Sequence, residues 1–553
     1  MKKLLSMLLA LTLTLAACFT MVGCGRGDKI DDSENVLNVK IRKAGFGTTY
    51  ITELGKEFEK TFASEGYKVN VLPAEADLLG GKVYTDVYSG SKVDLFFSDS
   101  YSAKELSADG KYGQIAADIT ESVWNKKPIS FDGSEEDKTV KDKLEEFFDM
   151  DSVYYKDKVY GMPFAAPVGG IAVNTKVLDQ YDLEVPRTTD EMFACAEVLM
   201  ENALTDEIFP FTYSFSGNLY VNRIAGPWIA QAGGYEDYYK FFTWNNVDGT
   251  NIEDPSEVYG YKGVRDMLEV MFHYYDYNMM SYGSDSHDIS AAQGQIMKGE
   301  ALFYSVGDWM FQEEYVKFPN YRNDVLLIPA PMISSLGVEL FGDEYPDKHD
   351  AILSEICKYA LDGKLAEDIE PLVESALSVE LDLQDVTTVC ERRGYVPNSC
   401  SIGVVMNNNS TKKDLAATFL RFIASTDAGK VFAREAMTQS PYALKEKIDS
   451  EYQWFDGVNQ MYTNPYFKQL KGDSVANSMK LAYGLTGYFP SLDYIFTIDI
   501  SRKNVTKYDE YDLSILPGKS DAVYRVAADE LCDFMVADAK AKLADKTWEP
   551  LNK

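Results

Sequence analysis

The chain has 553 residues, enough for several hydrophobic cores, and at 46% hydrophobic its composition excludes bulk disorder. Its 87 acidic against 54 basic residues give a formal net charge of −33, which excludes binding to a nucleic-acid backbone, because that affinity rests on clustered lysine and arginine. The same acidic surface serves solubility.

Lys2 and Lys3 precede an uncharged apolar run from Leu4 to Ala17, the leading regions of a secretory signal and too short to span a bilayer. Two segments then place a cysteine after small residues, Leu15-Ala16-Ala17-Cys18 and Met21-Val22-Gly23-Cys24. Both read as sites where the thiol receives diacylglycerol. Cys24 is preferred, because the polar stretch to Asn35 follows it as a tether, and Cys18 is the alternative. Of the seven cysteines, Cys195, Cys357, Cys390, Cys400 and Cys532 remain. They are odd in number and scattered, which is no disulfide framework. Cys390 and Cys400 are close enough in sequence to pair, whereas Cys195 and Cys532 read as buried thiols in helix interiors.

Leu37, Val39 and Ile41 alternate with polar residues as a strand with one face inward. The turn Ala44-Gly45-Phe46-Gly47-Thr48-Thr49-Tyr50 follows, and then a helix face carrying Ile51, Leu54, Phe58 and Phe62. Open α/β sheets bind ligands at such carboxyl strand ends, which makes Phe46 and Tyr50 candidates. The pattern repeats with a strand over Tyr67 to Leu72, a helix over Leu78 to Tyr88 and a buried strand over Val93 to Phe97. Ser130 to Met150 reads as a surface insertion.

Val153 to Tyr160 is a hairpin with Lys156-Asp157-Lys158 at its tip, ended by Gly161 and Pro163. After Gly169-Gly170 comes the apolar strand Ile171-Ala172-Val173, closed by Asn174. Thr188 and Glu191 form a capping box ahead of a helix bearing Met192, Phe193, Ala196, Leu199 and Met200. This order of hairpin, Gly-x-Pro, strand ending in Asn and Thr-x-x-Glu helix resembles the family 1 extracellular solute-binding proteins, the ligand-capturing lipoproteins of ABC importers. A second match is Ala291 to Trp309, AAQGQIMKGEALFYSVGDW: a helix closed at Gly299 by a left-handed cap, a strand over Ala301 to Tyr304, and Gly307-Asp308-Trp309 opening the next helix.

The resemblance covers Val36 to Ala433 with two insertions. It implies an α/β, two-lobed type II binding-protein fold, mixed sheets flanked by helices, with the ligand between lobes. The expected division is signal 1–23, tether 24–35, lobe 1 from 36 to 163, lobe 2 from 164 to 324, lobe 1 again from 325 to 408 with an insertion, and a helical second part of lobe 2 from 409 to 553. Returns between lobes are expected near Pro329 and Asn408. The resemblance also places ligand contacts at Phe164 in the first crossing, at Trp228 beside a Gly-Pro break, and at Trp309. Asp99, after the third strand, either accepts from ligand hydroxyls or caps the following helix. Core packing is the alternative for both tryptophans. Tyr483 to Phe496 either faces the cleft or is packed.

Further on, Ser256 to Met271 reads as one long helix, and helices are expected over Ala351 to Leu361 and Leu365 to Leu377. Ser401 to Asn407 is a strand. Ser410 or Thr411 caps a helix with Leu415, Phe419 and Phe422, and a final helix carries Val523 to Met535. For catalysis the sequence offers little. His273, His287 and His349 have no metal-site spacing, neither a G-x-S-x-G elbow nor a phosphate loop is present, and Cys195 has no adjacent base. The expectation is a non-enzymatic, lipid-anchored extracellular receptor for a sugar or oligosaccharide, without cofactor or metal and monomeric, with ABC permease subunits as partners. A surface-anchored enzyme of the same fold, or a sensing or adhesive lipoprotein, stays open.

Overall fold

The structure, a computed structural model, describes residues 29–43, 45–74, 80–98, 101–144, 150, 152–214, 220, 222–275, 279–281, 283–284, 286–397, 403–442, 448–470 and 522–544. Cys18, Cys24, Asp99, Cys400 and the stretch 483–496 lie outside them. The strands are β1 (Val36–Arg42), β2 (Lys68–Ala74), β3 (Leu95–Ser98), β4 (Tyr154–Tyr155), β5 (Lys158–Val159), β6 (Met162–Pro163), β7 (Gly169–Asn174), β8 (Phe209–Phe211), β9 (Ala301–Gly307), β10 (Val325–Ile328), β11 (Tyr395–Pro397), β12 (Gly403–Met406) and β13 (Lys468–Leu470).

Two larger sheets organise the chain: β2-β1-β3-β12-β6 in the first lobe and β10-β7-β9-β8 in the second. In the first, β1 runs parallel to β2 and β3, while β12 is antiparallel to β3 and β6. The alternation read in β1 has its physical outcome here, since Leu37, Val39 and Ile41 are buried. The helix Thr49–Thr61 buries Tyr50, Ile51, Leu54 and Phe58, one face at helical spacing. In the second sheet β7 is flanked by antiparallel β9 and β10. Its two leading glycines are needed for closeness: a Cβ on Gly170 would stand 2.0 Å from the Ile328 carbonyl oxygen.

Several local readings correspond to observed geometry. The hairpin turns at Lys156 and Asp157 with φ of 49° and 61°, the left-handed pair that two-residue hairpin turns use. Thr188 Oγ1 accepts from Glu191 N–H at 3.2 Å while Glu191 Oε2 accepts from Thr188 N–H at 3.3 Å, a reciprocal capping box. Gly299 closes its helix with φ 76°. The helix Ala522–Ala544 covers the expected C-terminal segment.

The division between lobes differs from the expectation in three respects. Val325–Ile328 stays in the second sheet beside β7 and does not return to the first. Past its prolines the chain is held on the second lobe: Met332 N–H donates to Arg187 O, Trp228 Nε1–H to Pro331 O, and Arg393 to Ala330 O. The helices Ser334–Phe341, His349–Leu361, Ala366–Leu377 and Leu383–Arg393 therefore belong with the second core, and the chain re-enters the first sheet only at β12. Conversely, the helices Lys413–Ile423 and Thr426–Ala436 pack on the first lobe, where Phe419 and Phe422 meet Phe58 edge-on at 5.0 and 5.3 Å.

Smaller corrections follow the same logic. The expected long helix from Ser256 is a 3-10 turn over Pro255–Gly260, capped by Asp254, then a helix over Lys262–Tyr274. Lys412, not Ser410 or Thr411, stands at the start of Lys413–Ile423; the Ser410 hydroxyl donates to Asp94 at 2.6 Å and accepts from Lys412 N–H at 3.0 Å, holding the turn just ahead of the helix. Cys195, Cys357, Cys390 and Cys532 are free and buried. Among the described residues no helix is long and apolar enough to cross a membrane.

Candidate functional site

The chain passes from the first sheet to the second through residues 163–169, and the backbone there is held by groups from distant segments. Ala166 N–H donates to Gln439 O at 2.9 Å, Gln469 Nε2 donates to Pro167 O at 3.1 Å, and Asp308 N–H donates to Val168 O at 3.0 Å. Asp308 closes the knot. Its Oδ2 accepts from Val168 N–H at 3.2 Å and from the Thr438 hydroxyl, and its carbonyl accepts from Trp454 Nε1–H at 3.1 Å. Asp308 is fully buried, and that burial pushes its carboxyl up to about 8, against the lowering effects of Thr438, the Val168 N–H and the Arg223 charge. The side chain is thus a neutral acid at pH 7.

The next residue is Trp309. Its indole lies over Gly307, where a Cβ would stand 2.0 Å from the six-membered ring, so this tryptophan position needs glycine two residues earlier. Tyr220 meets the ring edge-on at 5.6 Å and the Arg223 guanidinium lies 5.3 Å from its centroid. Arg223 in turn occupies the space a side chain at Gly169 would need, 2.6 Å from Cδ. Gly169 and Gly307 are register partners in the sheet, so one pair of glycines on β7 and β9 accommodates both the arginine and the indole. Trp309 is 9% exposed. The indole therefore sits among the buried core side chains, with Gly307 and the Arg223 cation against it, at the carboxyl end of β9 and next to the crossing.

On the first lobe, Phe46, Tyr50 and Phe164 are brought together, but chiefly with one another. Tyr50 stacks on Phe164 at 5.4 Å, and Phe432 meets Phe46, Tyr50 and Phe164 edge-on at 6.1, 4.9 and 4.8 Å. All three are buried, and burial pushes the Tyr50 hydroxyl well above its ordinary range. They form the apolar floor under the carboxyl ends of β1 and β3. Trp228 is elsewhere: fully buried, with its indole N–H on Pro331 O at 2.9 Å, it packs in the second core. The helix continues through Pro227 and kinks instead at Gly234, φ 82°, so the expected Gly-Pro break is absent and the ring stays inside.

Sequence reasoning missed Tyr220, Arg223, Thr438 and Glu313. Only Arg223 had a signal, the glycine at 169, which marks a place where another group must come close; Tyr220, Thr438 and Glu313 had none. Glu313 joins the lobes: its Oε1 accepts from Gly45 N–H at 3.1 Å and its Oε2 from Gln293 Nε2 at 3.0 Å. Among the described residues no group of three or more His, Cys, Asp or Glu could hold a metal ion.

A family model described as bacterial extracellular solute-binding protein matches residues 47–336. Among solved structures, the apo form of RafE from Streptococcus pneumoniae is similar at 13% identity and TM-score 0.50, covering 91% of this chain and 100% of its own. A structure described with xylan utilization by Caldanaerobius polysaccharolyticus is similar at 12% identity and TM-score 0.51, covering 91% and 99%. The GacH receptor of Streptomyces glaucescens is similar at 11% identity and TM-score 0.50, again covering 91% and 99%. No curated protein matches the chain.

Proposed function

The chain belongs to the bacterial extracellular solute-binding proteins, and from that premise we propose that it captures a saccharide between its two lobes and delivers it to an ABC permease while anchored by lipid at Cys24. No chemistry is done to the solute. Its fold is the type II arrangement of mixed sheets flanked by helices, in which hinge closure traps a ligand.

The observation that carries the reading is the Trp309 indole, set over Gly307 at the end of β9 with Tyr220 at its edge. Aromatic faces suit the apolar C–H faces of sugar rings, and polar groups around them satisfy the hydroxyls. A fold neighbour, the GacH receptor, is described in complex with acarbose, which supports the same class. Arg223, within reach of the ring, supplies donors for hydroxyl or acetal oxygens. Phe46, Tyr50 and Phe164 support the site from beneath, and Asp99 stays a proposed acceptor.

Calorimetric titration of the mature chain with neutral mono- and oligosaccharides tests this. At least one saccharide binds, and Trp309→Ala weakens it by about 2–4 kcal/mol, the range of a central contact residue. Normal affinity in the variant, or no binding by any saccharide in the panel, would overturn the proposal.

A further inference from the structure

The short helix Met310–Glu314 starts directly after Trp309 and reaches the first lobe at two points. Glu313 takes the Gly45 N–H at 3.1 Å with one carboxylate oxygen, while Gln293 steadies the other at 3.0 Å. Gly45 has φ 78°, a left-handed conformation suited to glycine. Beside it, Gln312 Nε2 donates at 2.7 Å to Glu435 O, in the last turn of Thr426–Ala436, a helix packed against Thr49–Thr61. Two neighbouring side chains of the second lobe thus hold both the turn after β1 and a helix end of the first. Both contacts are made between protein groups, and a carboxylate accepting a backbone N–H is among the stronger hydrogen bonds.

We propose that Glu313 and Gln312 form an interlobe latch that keeps the lobes together before solute arrives, and so sets how much of the chain is already in the binding-competent closed form. The inference rests on the reading of the protein as a two-lobed solute receptor. Apparent affinity scales with the competent fraction, so the latch tunes affinity without touching the ligand. Its position one turn past Trp309 lets the same helix carry the aromatic plate and the contact that closes over it.

The test uses the full mature chain without solute. Spin labels are placed at Lys60→Cys and Glu236→Cys, exposed sites with side-chain exposures of 78% and 65%, one on each lobe, and the interlabel distance is read by pulsed electron paramagnetic resonance. The parent chain shows mainly the shorter distance. Glu313→Ala shifts the population severalfold toward a longer one, and Gln312→Ala, which leaves Gly45 held, shifts it less in the same direction. Glu313→Gln keeps an acceptor for Gly45 and falls between parent and Glu313→Ala. Circular dichroism melting establishes that each variant is folded, and Gln312→Ala carries the test alone if Glu313→Ala is not. An unchanged distribution in the folded variants, or a parent chain already at the longer distance, overturns the latch. Because no solute enters the measurement, a failed saccharide panel would sink the functional reading and leave this result standing.

Discussion

Replacing Asp308 with asparagine isolates what a buried carboxyl does at the junction of the lobes. In the folded chain burial raises this group from the ordinary aspartate value of 3.8 to about 8. Between those values the unfolded chain has released the proton and the folded chain keeps it, so unfolding releases a proton and stability falls as pH rises. The slope is about 1.4 kcal/mol per pH unit, flattening near the folded-state value. The substituted amide has no proton to release, and its oxygen can still accept from Val168 N–H and Thr438. Its nitrogen takes the position of Oδ1, which has no hydrogen-bond partner and carries the acid's proton while Oδ2 accepts from Val168 and Thr438; the amide places two donors there against the acid's one, an offset of about 1–3 kcal/mol for the additional unmet donor. That offset is the same at every pH. Asp237, Glu314 and Asp350 are also raised, mainly by burial, and contribute slopes of the same sign, so the quantity to measure is the difference between parent and variant. Urea unfolding at steps from pH 5 to 8 gives it. The parent should lose stability relative to Asp308→Asn throughout that window, and two parallel pH profiles would refute the argument.

Trp228→Ala should cost about 3–5 kcal/mol of stability, the range for a fully buried large aromatic, with saccharide affinity per folded molecule unchanged; denaturant melts beside calorimetry show whether the two effects separate. Thr188→Ala removes both the helix cap and the bond to Asp350 at 2.9 Å and should cost about 1–2 kcal/mol, read as a shift in urea midpoint with no change in slope. Mass spectrometry of the N-terminal peptide should show a mature terminus at Cys24 with thioether-linked lipid, and a terminus at Cys18 or an unmodified thiol would contradict that assignment.

The parts of the fold legible in the sequence were those determined within a few residues. A capping box, a left-handed glycine cap and a hairpin are each set by neighbours along the chain, and Thr188 and Gly299 behave as their local patterns require; the hairpin forms where expected, with its turn at Lys156-Asp157 and Lys158 already paired in β5. Lobe membership is different in kind. Pro329 and Pro331 end a strand, and a strand end looks the same whether the chain then leaves the lobe or stays. What keeps it is a set of donors from Arg393, Trp228 and Gln231, and no periodicity in 325–331 encodes them. The same distinction explains Trp228. An indole beside Gly-Pro reads as a cleft residue only if the helix breaks there, and this helix runs on to Gly234.

At the site, the sequence revealed the motif and hid the reason for it. Gly307-Asp308-Trp309 is three adjacent residues with three different obligations: the glycine leaves room for an indole, the aspartate binds the crossing strand and Thr438, and the tryptophan faces Tyr220 and Arg223. None of those partners is near in sequence, so the indole's position depends on segments from both lobes meeting at Val168. Such a dependence couples the plate to the hinge. Any rotation of one lobe against the other must either carry Thr438 and Val168 with Asp308 or break the bonds they make to it. The Asp308 bonds and the Gly45–Glu313 bond thus tie the segments together on either side of the tryptophan.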